Sequence, residues 1–268
     1  MRPVRLTCLA SCIASLSVQL SGCKQDSDPR LEFATVAGEQ IVYEHHFSRG
    51  SGGWETVRYS DVMLANARSC ATTDTDQFSC TTPVILTDES MRIESPWMLD
   101  ANHASPGAGN LALLGWVYLD GRYGSPTQKV RTLDLRDATL RVEMRKEALD
   151  VKDGHLYLWV QSEMPDGMYV NLAYTAQPLD TLIDAGGAWS PLEVLLAADA
   201  TAWTCLGSSA ARADTYRCDD VLKVASNVNF DFGFIILPVA DVPDPAVQPS
   251  GAIEVRNLEI STPIRLPQ

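Results

Sequence analysis

Three consecutive stretches decide how this chain is read: TLRVEMRK (139–146), HLYLWVQS (155–162) and YVNLAYT (169–175). In the first, Leu140, Val142 and Met144 alternate with Arg141, Glu143 and Arg145. In the second, Leu156, Leu158 and Val160 alternate with Tyr157, Trp159 and Gln161. In the third, Val170, Leu172 and Tyr174 alternate with Tyr169, Asn171 and Ala173. Side chains along a strand point to opposite faces in turn, so each stretch has an apolar face and a polar or aromatic one. The links ALDVKDG (148–154) and EMPDG (163–167) carry turn residues. The pattern predicts three strands whose polar face collects Arg141, Glu143, Arg145, Tyr157, Trp159, Gln161, Tyr169 and Asn171.

The same period recurs outward from this centre. NVNFDFGFIIL (227–237) sets Val228, Phe230, Phe232 and Phe234 opposite Asn227, Asn229 and Asp231. GAIEVRNLEIS (251–261) alternates Ile253, Val255, Leu258 and Ile260 with a break that predicts a bulge near Arg256-Asn257. LEVLLAADA (192–200) is the one stretch with the makings of a short helix. Many short strands joined by turns predict an all-β fold, an antiparallel β-sandwich or jelly roll. There is no internal repeat and no low-complexity linker, so residues 40–268 read as one domain.

The N-terminus is of another kind. Arg2 and Arg5 precede an apolar, hydroxyl-rich run from Leu6 to Leu20, too short to span a bilayer comfortably. This is the layout of a secretory signal. Its end, LSGC (20–23), resembles the lipobox of bacterial lipoproteins. The resemblance implies a signal peptide over residues 1–22, cleavage before Cys23 and acylation of that residue. Residues 23–39 then form a lipidated cysteine and tether, and several acyl chains make a stable anchor. Lys24 follows where an inner-membrane retention signal usually shows Asp. The expected location is the bacterial cell envelope, lipid-anchored, at the outer membrane. An ordinary signal peptide with an incidental cysteine is the alternative.

Cysteine spacing fits export. The chain has seven cysteines, of which Cys8 and Cys12 lie in the leader and Cys23 is the lipid acceptor. Cys70 with Cys80, and Cys205 with Cys218, each bracket a short polar loop, and local pairing is expected among three formal connectivities. An oxidising compartment permits such bonds. A four-cysteine metal site is the rival, without the close C-x-x-C spacing typical of zinc ligands. The formal charge is −13 at pH 7. Such an acidic surface argues against nucleic acid, whose phosphates require Lys and Arg.

The order of segments resembles the galactose-binding-like jelly roll of many carbohydrate-binding modules. The matching pieces are HHFSRGSGGWE (45–55), LYLWVQS (156–162), GAWSPLEV (187–194) and GAIEVRNLEI (251–260). The resemblance covers most of residues 40–262 and implies a sandwich that binds carbohydrate. Modules of this type often hold a structural calcium with acids in the first turn and the last strand. Ser48 and Arg256 stand at those places here, which disfavours calcium, and no other cofactor is called for.

The expected site follows from sugar chemistry. A sugar ring needs flat aromatics for stacking and planar polar groups for its hydroxyls. Trp159 would stack, while Tyr157, Tyr169, Gln161, Asn171, Arg141 and Glu143 would hold hydroxyls. Alternatively, Tyr157 and Trp159 are core residues, and Arg141, Glu143 and Arg145 form a cross-strand charge ladder. Trp54, Trp189 and Trp203 read as core or rim packing. Asp100 and His103 fall in a Pro- and Gly-rich stretch, SPWMLDANHASPGAGNLALLGW (95–116), suited to loop hydrogen bonding or an oriented imidazole. His45 and His46 are adjacent, so their side chains diverge. Glu143 and Asp231 are the acids that might meet as a glycosidase pair. The expected function is non-catalytic carbohydrate recognition. A glycoside hydrolase or polysaccharide lyase is one alternative, and a protein-binding surface lipoprotein the other.

Overall fold

The computed structural model describes residues 38–48, 50–56, 82–87, 89–105, 109–119, 132–207, 213–239 and 246–264. Two antiparallel sheets pack face to face as an all-β sandwich. In the first sheet the order is β11 (Ser190–Leu196), β8 (Ala138–Asp150), β14 (Ser250–Pro263), β5 (Ser90–Glu94), β4 (Ile85–Thr87). β1 (Glu39–His45) also pairs with β14. In the second the order is β12 (Trp203–Cys205), β10 (Tyr169–Tyr174), β9 (His155–Glu163), β13 (Asp231–Val239), β7 (Gly109–Tyr118), β2 (Trp54–Thr56), β3 (Thr82–Pro83). β6 (Met98–Ser105) also pairs with β7.

The alternation seen in the sequence becomes the core between the sheets. Leu140, Val142 and Met144 of β8 share one buried cluster with Leu156, Leu158 and Val160 of β9 and Val170 and Leu172 of β10. Ile253, Val255, Leu258 and Ile260 of β14 join it. The expected bulge in that strand is present: the register on β8 shifts between Arg256 and Glu259, and Asn257 has φ 48°. Without it, Leu258 and Ile260 would point outward. Aromatic packing closes the core near β2, where the Trp54 indole stacks on Phe234 at 5.7 Å and donates to the Tyr43 hydroxyl at 3.0 Å.

Four expectations are corrected. β8 and β9 are not neighbours, because the link 151–154 carries the chain from one sheet to the other. The stretch 192–200 begins as the edge strand β11 rather than a helix, with Leu192, Val194 and Leu196 buried at period two. Phe230 precedes β13 and packs with the outer cluster of the second sheet, while Val228, Phe232 and Phe234 enter the core. Residues 98–105 and 109–118 are strands rather than one long loop.

The outer face of the second sheet is apolar as well. Leu111, Leu113, Trp116, Tyr157, Trp159, Phe230, Ile235 and Leu237 form a second buried cluster. At its middle Gly233 pairs with Trp159 on one side and with Trp116 on the other. A Cβ on Gly233 would lie 2.1 Å from the Gly115 carbonyl oxygen and 2.8 Å from the Trp116 Cα. Both obstacles are backbone, so neither can swing aside. Gly233→Ala is expected to destabilise the fold by about 3 kcal/mol, at the upper end for overpacking, measured by urea unfolding.

Candidate functional site

The eight side chains expected on one polar face lie on two opposite faces. Arg141, Glu143 and Arg145 point out from β8 in the first sheet. Tyr157, Trp159, Gln161, Tyr169 and Asn171 belong to β9 and β10 in the second. The whole sandwich separates the two groups, so they do not form one binding face. The same geometry separates Glu143 from Asp231, which pairs with Gln161 and Tyr118.

The second group is largely inaccessible. Trp159 is 4 % exposed, and its indole Nε1 meets no acceptor among the described residues. Gln161 donates to Asn171 at 2.7 Å, and both are buried. Tyr169 is half-buried against Phe230 and Tyr216. Burial, then the charge of Asp180, raises the Tyr157 hydroxyl above its ordinary pKa. The reading of Tyr157 and Trp159 as packing residues therefore describes this face, and Trp159 is not presented for stacking.

The outer face of the first sheet is a lattice of charges in cross-strand register. Arg92, Glu254 and Arg145 stand side by side on β5, β14 and β8. Glu254 Oε1 accepts from Arg92 at 3.1 Å, and Oε2 accepts from Arg145 at 2.8 Å and from Ser90 at 3.1 Å. The next step along the strands pairs Arg256 with Glu143, and Arg256 Nε donates to the Glu143 carboxylate. Further along, buried Arg141 donates to Glu39 (2.9 Å), Glu193 (3.2 Å), Glu259 (3.2 Å) and Ser261 (2.9 Å). This is the cross-strand charge ladder considered above, but buried rather than solvated. The cation beside Glu143 occupies the place where a calcium ligand was sought at Arg256.

One aromatic ring lies on this lattice. The guanidinium carbons of Arg256 and Arg145 sit 4.2 Å and 4.8 Å from the Trp189 ring centroid. Trp189 is half-buried in the approach to β11. Sequence alone set it aside as rim packing. Its signal is positional: it stands just before Ser190, which faces Met144, so its ring lies beside Arg145.

The lattice has one gap. Ala252 pairs with Glu94 on β5 and Glu147 on β8, leaving a small side chain between two long ones. Above it opens a cleft of about 260 Å³ lined by Arg92, Arg145, Glu147, Glu254 and Gly187. Arg92 ties three of its carboxylates together, donating to Glu94 at 3.1 Å, Glu147 at 2.7 Å and Glu254.

The histidines take separate positions. His45 is drawn down to a pKa of about 4 by burial and by the charge of His46, so it is neutral. His46 contacts Glu44 at 2.7 Å and Asn257 at 3.1 Å, and Asn257 reaches Glu143 at 3.4 Å. His155 meets Asp180 at 3.2 Å. Among the described residues, no three His, Cys, Asp or Glu side chains are arranged to hold a metal. The side chains of Asp100 and His103, and all of Cys23, Cys70 and Cys80, lie outside the described residues. Cys205 and Cys218 are disulfide-bonded. No protein family, curated protein or solved structure matches the chain.

Burial raises the cost of the Glu254 charge, but the bonds and charge of Arg145, with those of Ser90 and Arg92, outweigh it and lower its pKa. A carboxylate whose folded pKa is lowered adds stability above its unfolded value. That stability disappears as pH falls through the folded value. Glu254→Gln, which leaves two arginines facing a neutral amide, is expected to cost about 3 kcal/mol at pH 7, as when one partner of a buried pair is removed. Its penalty should shrink as pH falls below 4.5, read from urea unfolding of both proteins.

Proposed function

We propose that this protein is a non-catalytic carbohydrate-binding lipoprotein of a bacterial cell envelope, and that the sugar sits in the cleft over Ala252. The observation that carries the reading is the gap itself. A face rich in long charged side chains opens over Ala252, between Glu94 and Glu147 on the flanking strands. The cleft volume falls near the lower end for small-molecule sites, which suits one or two sugar rings. Its walls offer guanidinium donors and carboxylates, the groups that fix hydroxyls, and Trp189 buttresses Arg145 from the side. Arg145 and Glu254 are then the binding residues nearest the sugar. The role first sought in Trp159, Tyr157, Tyr169, Gln161 and Asn171 moves to this face, and Arg141 and Glu143 act as its buried supports.

Glu254 is held toward its ionised form by Arg145, Ser90 and Arg92, which does not suit it to the proton-donor role of a glycosidase pair. The envelope reading rests on the LSGC motif and on the Cys205–Cys218 bond, which suits an oxidising compartment. The two-sheet sandwich is compatible with the galactose-binding-like jelly roll, and we assign that type on the sequence motifs.

The test is a glycan array probed with the full-length chain in detergent, beside an assay for released reducing ends. Binding without release is expected, and release would make the protein a hydrolase or lyase instead. Ala252→Leu fills the cleft without changing a charge and should weaken binding at least tenfold, about 1.4 kcal/mol. Unchanged affinity would remove the cleft from consideration. Cys23→Ser should abolish incorporation of radiolabelled palmitate in a bacterial host, and persistent labelling would count against the lipid anchor.

A further inference from the structure

Resting on that reading, we infer that the sugar bound over Ala252 carries a carboxylate, placed between Arg92 and Arg145. The argument turns on which hydrogen-bonding groups of the cleft are already occupied. A carboxylate accepts about four hydrogen bonds. Glu254 takes one from Arg92 on Oε1 and, on Oε2, one from Arg145 and one from the Ser90–Thr87 pair, whose two hydroxyls also bond to each other. Most of the accepting capacity of the floor is therefore in use.

The donors are not saturated. Arg145 donates through Nη2 to Glu254, and its plane lies over Trp189. Its Nε and Nη1 meet no acceptor among the described residues. Arg92 uses Nε on Glu94 and Nη1 on Glu147 and Glu254, leaving Nη2. Both guanidinium groups are fixed, because both converge on the same buried carboxylate. A planar fork of acceptors matches them better than any hydroxyl pair.

Glu147 marks where that group would lie. Its carboxylate sits 2.7 Å from Arg92 Nη1 at the cleft wall, yet its side chain is 70 % exposed and this is its one ion pair among the described residues. An exposed pair of this kind contributes little. Glu147 is thus an internal occupant that a ligand carboxylate can displace at small cost. Glu94 holds the Nε edge of Arg92 and is not part of the cleft wall. The net charge of −13 repels polyanions, so a glycan with one acidic group fits better than a polyuronate.

Matched pairs test this with the full-length chain in detergent: sialyllactose against lactose, and a glucuronate-terminated trisaccharide against its glucose-terminated analogue. Calorimetry at moderate salt is expected to show the acidic member of a pair binding at least about tenfold tighter, as for a charge-assisted bidentate contact. Glu147→Gln should raise the ratio of acidic to neutral affinity about threefold further, since it removes the internal competitor for Arg92. Arg145→Lys should erase the preference, because a point charge lacks the fork. Equal binding of both members, or preference for the neutral one, would overturn the acidic assignment and leave carbohydrate binding standing. Acid preference that Glu147→Gln does not enhance would overturn the placement on Arg92. Binding of no glycan on the array or in these pairs would overturn the carbohydrate reading and this inference with it.

Discussion

Burial of Leu140, Val142 and Met144 in the same core as Leu156, Leu158 and Val160 is the constraint on which the molecule depends. These six side chains come from strands in different sheets, so the core exists only if the chain crosses between sheets at residues 151–154. Once they face inward, period two leaves Arg141, Glu143 and Arg145 no choice but the outer surface of the first sheet. Every feature of the candidate site follows from that outward placement. The bulge at Arg256-Asn257 serves the same end, since it keeps both halves of β14 turned inward while setting Glu254 and Glu259 beside arginines of β8 and Arg256 beside Glu143.

The charged lattice is not explained by stability. Taking ions out of water costs several kcal/mol each, and pairs recover this only with good geometry and additional hydrogen bonds. Arg141 with its four acceptors, and Glu254 with Arg92, Arg145 and the Ser90–Thr87 hydroxyl pair, meet that condition. Glu259 does not fully meet it: burial raises its pKa in spite of Arg141, and the charges of Glu44 and Glu39 add to the rise. An apolar sheet face covered by a loop would be simpler to build. What the lattice supplies is a pair of guanidinium groups held by the same buried carboxylate, beside the small side chain of Ala252.

The second sheet solves the same geometric problem differently. Its outer face is lined with Trp116, Trp159, Ile235 and Leu237, which are buried in a second cluster. Gly233 makes this possible by leaving the centre of the face without a side chain between two indoles. One sheet thus has a largely covered exterior of apolar side chains around the Gln161–Asn171 pair, and the other a polar one with a cleft.

The alternation of residues 139–175 and 251–261 was sufficient for the all-β class, for which apolar side chains enter the core between the sheets, and for the bulge in β14. Those properties depend on local period and on the burial of apolar surface, both written in the order of residues. The Cys205–Cys218 bond was equally legible, because its partners are close in the chain. Pairing between strands was not. A strand that turns back beside its predecessor and one that arches over to the opposite sheet bury the same alternating set. Arg141 and Trp159 therefore look like neighbours in sequence and stand on opposite faces in space. Trp159, Trp189 and Ala252 show the consequence: whether an aromatic is presented or covered, and whether a small residue leaves a hole, depends on the strands that flank it. Some of those flanking strands come from more than 150 residues away, as Glu94 does beside Ala252, and only the tertiary fold brings them together.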